Sequence, residues 1–124
     1  MSKFWNISMM LVVVGILAVA CASDTLPPHE GIARAFITAA SNDDLQQMHD
    51  LAADGYEYDN VNTQIIISNI QGIPVNDLTF QYEGNGNYGP NVHIYRVYHG
   101  RSRVASMNIS KIGDAFFVIS ASGL

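Results

Sequence analysis

The chain has 124 residues, a formal net charge of −5 at pH 7, 48% hydrophobic residues and a single cysteine. One cysteine excludes an intramolecular disulfide and a zinc site built on several thiolates. The acidic balance argues against nucleic acid as a partner, because affinity there comes from neutralised phosphates. The imbalance is local. Asp24 to Asp59 carries eight acids against Arg34 alone, whereas Asn60 onward carries three acids and four bases. The basic second half leaves room for a small anionic partner.

The chain opens "MSKFWNISMMLVVVGILAVACAS", with Lys3 as the sole charge before Asp24. A short basic start, an apolar core and small residues at its end are the parts of a secretory signal. The core is shorter than the roughly 20 apolar residues of a spanning helix; counting Phe4 and Trp5 brings it to that length, so an uncleaved anchor stays open. Ala18-Val19-Ala20 and Ala20-Cys21-Ala22 both fit ordinary signal peptidase. "LAVAC" also resembles the lipobox of bacterial lipoproteins, which implies lipidation of Cys21. It departs from that pattern in having Ala18, with Leu17 one further back, where leucine is usual. The expected organisation is a signal over 1–22, a tether over 23–28 and one domain over 29–124. The expected location is the cell envelope, anchored through lipid or leader, or the exterior.

Pro27 and Pro28 bound a first helix from His29, since the first helical positions have no donor to lose. Ile32, Phe36 and Ile37 mark its apolar face, and Ser41-Asn42 breaks it. Ser41 with Asp44 resembles a capping box opening a second helix. Leu45, Met48, Leu51 and Ala52 form its stripe, with Gly55 as its stop. "VNTQIIISNIQG" has strand propensity in its isoleucines but a cap, a glycine stop and Ile66, Ile70 and Ile73 on one face. A helix over 62–71 is expected. The remainder is β. "LTFQYE" alternates Leu78, Phe80 and Tyr82 against Thr79, Gln81 and Glu83. "GNGNYGPN" is a loop, and "VHIYRVY", "RSRVASMNISKI" and "AFFVISAS" follow. His99-Gly100 and Gly113-Asp114 are expected as two-residue hairpin loops.

The predicted class is therefore α+β: N-terminal helices packed on a curved antiparallel meander. This order, with Phe36 in "ARAFITAASNDDL", Asp44-Leu45 and the closing "ASMNISKIGDAFFVIS", resembles the nuclear-transport-factor-2-like (cystatin-like) domain of small bacterial exported proteins and lipoproteins. The resemblance covers about residues 29 to 121 and implies a sheet wrapped around helices, leaving a cone-shaped cavity. That fold hosts isomerases, dehydratases, ligand binders and scaffolding modules, so it does not settle function.

With His99-Gly100 as the loop, Tyr98 faces Arg101 and Arg96 faces Arg103. Val92, Ile94, Arg96 and Tyr98 would then share the helix-facing side, and Arg96, Arg101 and Arg103 would gather at its end. Like charges opposed on a sheet repel. A small anion or carboxylate ligand would offset them, as would Asp50, Asp54 or Glu57 from the helices. The histidines His29, His49, His93 and His99 have no metal-ligand spacing. His93 falls with Tyr95 and Val97 on the face opposite the arginines. Tyr56, Tyr58, Tyr82 and Tyr95 offer hydroxyl donors, and Asp50 or Asp59 a base, but no spacing selects a catalytic set. No metal and no cofactor is expected. The functional expectation is a non-catalytic envelope accessory or ligand-binding module with envelope protein partners. The alternatives are a small cavity enzyme and a signal-anchored subunit of a secretion or pilus assembly.

Overall fold

The computed structural model describes residues 26–53 and 60–123. Among these residues three helices precede four strands: α1 (Pro28–Ser41), α2 (Leu45–Leu51), α3 (Asn60–Ile70), a 3₁₀ turn (Val75–Asp77), β1 (Thr79–Tyr82), β2 (Val92–His99), β3 (Ser102–Ile112) and β4 (Ala115–Ser122). The strands form one antiparallel meander in the order β1-β2-β3-β4, so the fold is α+β. The expected leader with Cys21 and the first half of the expected tether, 23–25, lie outside the described residues, as do Asp54, Gly55, Tyr56, Glu57, Tyr58 and Asp59. Among the described residues no helix is long and apolar enough to cross a membrane.

α1 starts on Pro28, with Pro27 before it and no side-chain cap. It buries Ala33, Phe36, Ile37 and Ala40, at steps of three and four residues. Its end is a Schellman closure: Asp43 N–H bonds Ala40 O at 3.1 Å and Asp44 N–H bonds Ala39 O at 2.8 Å. Asp43 takes the left-handed position at φ 55°, which aspartate tolerates better than most residues. The expected capping box is absent. Ser41 belongs to α1, and its hydroxyl donates to Ile73 O at 2.6 Å. Asp44 alone caps α2, its carboxylate accepting from Gln47 N–H at 3.2 Å.

α2 is also shorter than its sequence stripe. Ala52 leaves the helix in extended conformation and bridges Val118 in parallel, and Ala53 N–H bonds Val118 O at 2.9 Å. The chain thereby covers part of the outer edge of β4, which would otherwise present unpaired backbone. α3 is helical as the capping argument expected, with Ile66, Ile67 and Ile70 buried and Gly72 in the left-handed conformation beyond its end. Asn69 ties it to the sheet, donating to Val104 O at 3.0 Å and to Gly123 O at 2.7 Å.

The β3–β4 loop is Gly113-Asp114, as expected. The β2–β3 loop is not His99-Gly100. His99 pairs with Ser102, leaving Gly100-Arg101 as the loop, with Gly100 at φ 64°. A primed two-residue turn needs positive φ at its first position, and glycine supplies it without strain. The shift carries through the ladder. Val104 is an extra residue in β3, because Tyr98 pairs with Arg103 while Val97 pairs with Ala105. The helix-facing side of β2 is Tyr95 and Val97, both buried, so the expectation that Ile94, Arg96 and Tyr98 faced the helices is corrected. Their partners Met107 and Ala105, with Ile109 and Val118, complete the sheet side of the core beneath Phe36, Ile37, Met48, Ile66 and Ile70.

Two substitutions check this packing by urea unfolding. A Cβ at Gly123 would overlap the Ile65 side chain, so Gly123→Ala should lose about 1–3 kcal/mol. Asp44→Ala should lose about 1 kcal/mol through the cap of α2.

Candidate functional site

Where the first turn of α1 meets β1 and β2, five rings gather: His29, Tyr82, His93, Tyr95 and Phe116. Pro28 sets the start of α1 and so places His29 in its first turn, over the sheet. Tyr82 and Tyr95 are cross-strand partners of β1 and β2, so both project to the helix side. His93 lies two residues before Tyr95 and shares that face. Phe116 reaches the cluster from β4, edge-on to both imidazoles with centroids 5.7 Å away.

The two imidazoles lie face to face, with centroids 3.8 Å apart and planes 6° from parallel. Each is held by a tyrosine. His29 Nδ1 is 2.6 Å from Tyr95 Oη, and His93 Nδ1 is 2.7 Å from Tyr82 Oη. One proton lies in each bond, given by the imidazole Nδ1–H or by the phenol. Glu30 and Arg34, one turn apart on α1, pair at 3.0 Å beside the cluster, and the Arg34 guanidinium sits 4.5 Å over the Phe80 ring.

Electrostatics keep the cluster neutral. Burial lowers the pKa of His29, the neighbouring His93 lowers it further, and Glu30 opposes both. Burial alone lowers that of His93. Burial, then Glu30 and Tyr82, push the Tyr95 phenol well above the ordinary tyrosine range, with Arg34 opposing. At neutral pH the site thus presents two uncharged imidazoles and, at Tyr95, a firmly protonated phenol, the forms that act as base and as hydrogen-bond donor. Parallel rings aim their lone pairs in parallel and do not converge on one cation. Among the described residues no group of three histidine, cysteine or carboxylate side chains could hold a metal.

The arginines lie elsewhere. Arg96 is opposite Ser106, Arg103 is opposite Tyr98, and Arg101 is in the turn. Arg96 and Arg103 are therefore not directly opposed, and by alternation Arg96 is on the face away from the helices. Among the described residues its ion-pair partner is Glu83, at 3.3 Å. Asp50 is engaged within α2 by Gln46 at 3.0 Å. On the same outer side, Ser106, Asn108, Ser120 and Ser122 line a shallow depression of about 170 Å³. This is below the roughly 300 Å³ from which small-molecule pockets begin.

Sequence reasoning passed over His29 and His93 because they are 64 positions apart. The usable signal was the alternation His93, Tyr95, Val97, had that face been taken as the buried one.

Removing the hydroxyls should separate the two bonds. Tyr95 is 1% exposed and Tyr82 is 47% exposed. Tyr95→Phe leaves a part-buried imidazole nitrogen without its partner and should cost about 1–3 kcal/mol in thermal or urea unfolding. Tyr82→Phe should cost less, about 0.5–1 kcal/mol, because water can replace an exposed partner.

No family model matches the chain, and no curated protein or solved structure is significantly similar to it. A functional reading therefore rests on the molecule itself.

Proposed function

We propose that the chain is an exported envelope module that works by binding, held at the membrane through its leader and lipidated at Cys21. The observation that supports binding over catalysis is the apolar lining of the helix–sheet interface among the described residues. Phe36, Ile37, Met48, Ile66, Ile70, Tyr95, Met107 and Ile109 are each at most 1% exposed, and they occupy the helix–sheet interface. An enzyme of the nuclear-transport-factor-2-like kind would hold its substrate in a hollow there. The order of three helices and a meander still supports kinship to that fold, with a curved sheet as its finer form. The leader's basic start, apolar core and small residues ending at Cys21 support export. A partner anion would meet the basic end of the β2–β3 hairpin, Arg96, Arg101 and Arg103, in competition with Glu83 at Arg96.

A second reading, a small acid–base enzyme, has one observation in its favour: the two neutral imidazoles bonded to tyrosine hydroxyls. Under that reading His29 or His93 takes a proton and Tyr95 stabilises developing negative charge.

The anchor is tested by growing cells with labelled palmitate. The wild-type chain should carry label and sediment with membranes, and Cys21→Ala should lose the label. A wild-type chain found unlabelled in the cytosol with its leader intact would sink the proposal.

A further inference from the structure

We propose that the stacked His29–His93 pair is an acid-released latch, holding the first turn of α1 on the sheet at neutral pH and letting it go when both rings are protonated. The inference concerns the fold itself and goes beyond the envelope reading. It stands whether or not the chain is exported.

The geometry makes protonation costly in the closed form. Two imidazolium rings at 3.8 Å would put like charges in van der Waals contact. A charged His29 would also stand in the first turn of α1, at the positive end of the helix dipole. On protonation each ring can only donate through Nδ1, so a phenol that now donates to it must turn and accept instead. Both groups already favour the neutral form in the folded chain.

Among the described residues the neighbours do not cancel this. On α1, Glu30 favours a charged His29, but it is paired with Arg34 at 3.0 Å. β1 contributes the Tyr82 phenol and the Phe80 ring, and β2 contributes the Tyr95 phenol, held protonated. β4 contributes Phe116, whose cross-strand partner on β3 is Lys111.

The N-terminus of α1 has no side-chain cap, and its first-turn amides reach back only to Pro27 O, at 3.0 and 3.1 Å. The ring of His29 is what joins that turn to Tyr95 and His93. Farther along, Phe36 and Ile37 are fully buried and keep the helix docked. The predicted motion is therefore local: the first turn lifts and uncovers the Tyr95–Phe116 surface.

The sign follows from linkage. Histidines whose folded pKa is lowered bind protons more readily when open. Closure is therefore fully stabilised above the ordinary imidazole value near 6.5 and weakens as pH falls below it. Each proton taken up raises the opening equilibrium by up to about tenfold per pH unit.

The test uses the full chain. Ring C–H resonances of His29 and His93 are titrated by NMR, and hydrogen exchange of the Ile32 and Ala33 amides is compared with Met107 and Ile109 between pH 7.5 and 5. After correction for intrinsic exchange, protection at Ile32 and Ala33 should fall with acid while the β3 amides hold. In His93→Gln the pH slope should drop by half on a logarithmic scale. Ordinary imidazole titration of both rings, or protection at Ile32 that does not change with pH, overturns the latch. Should His93→Gln fail to fold, the wild-type titration and exchange decide the matter alone.

Discussion

The positive φ of Gly100 is the constraint on which much of this molecule turns. A two-residue hairpin needs a left-handed residue at its first position, and Gly100 provides it at 64°. That choice pairs His99 with Ser102 and sets where the register of β3 against β2 begins. A slip of one residue would send every side chain of the strand to the opposite face. In β2, Tyr95 and Val97 enter the core and Arg96 goes outside. The bulge at Val104 then brings Ala105, Met107 and Ile109 under the helices in register with them.

The ring cluster follows from the same alternation in β2. His93 shares the face of Tyr95 and Val97, but it sits near the end of β2, where the apolar layer thins. There it meets the first turn of α1 rather than the middle of that helix. Two histidines and two tyrosines at the margin of a core are tolerable because each imidazole is bonded to a hydroxyl. A buried polar group without such a partner costs about 1–3 kcal/mol. The cluster is polar enough to respond to pH and dry enough for its charged form to be disfavoured, a combination the interior and the open surface each lack.

The two ends of the molecule are secured differently. At one end Asn69 reaches from α3 to Val104 O and Gly123 O, and no side chain larger than glycine fits at 123 beside Ile65. Neutral hydrogen bonds and close packing there are indifferent to pH. At the other end α1 is fastened through titratable rings. The contrast gives the domain a firm interior with one conditional contact, set next to the segment that the sequence reads as a tether.

Local rules made much of the architecture legible. Proline at the start of α1, the recurrence of Phe36 and Ile37 four and five residues after Ile32, the cap-and-stop signals of α3 and the alternation of β1 act within a few residues of where they are read. So does Gly113-Asp114, a turn between two clear apolar runs. The reading of residues 1–22 as a leader ending near Cys21 rests on the sequence alone. What only the tertiary structure decided was the choice between near-equivalent local solutions. His99-Gly100 and Gly100-Arg101 are adjacent turns, and a bulge at Val104 leaves no mark in the residue pattern. Ser41 and Asp44 both look like caps until the Schellman closure claims one for α1. Ala52 fits the stripe of α2, yet it leaves to cover β4, because an exposed strand edge outweighs one more helical residue. The meeting of His29 with His93 depends on all of these at once, since rings 64 residues apart touch only after strand parity and helix placement have both been set.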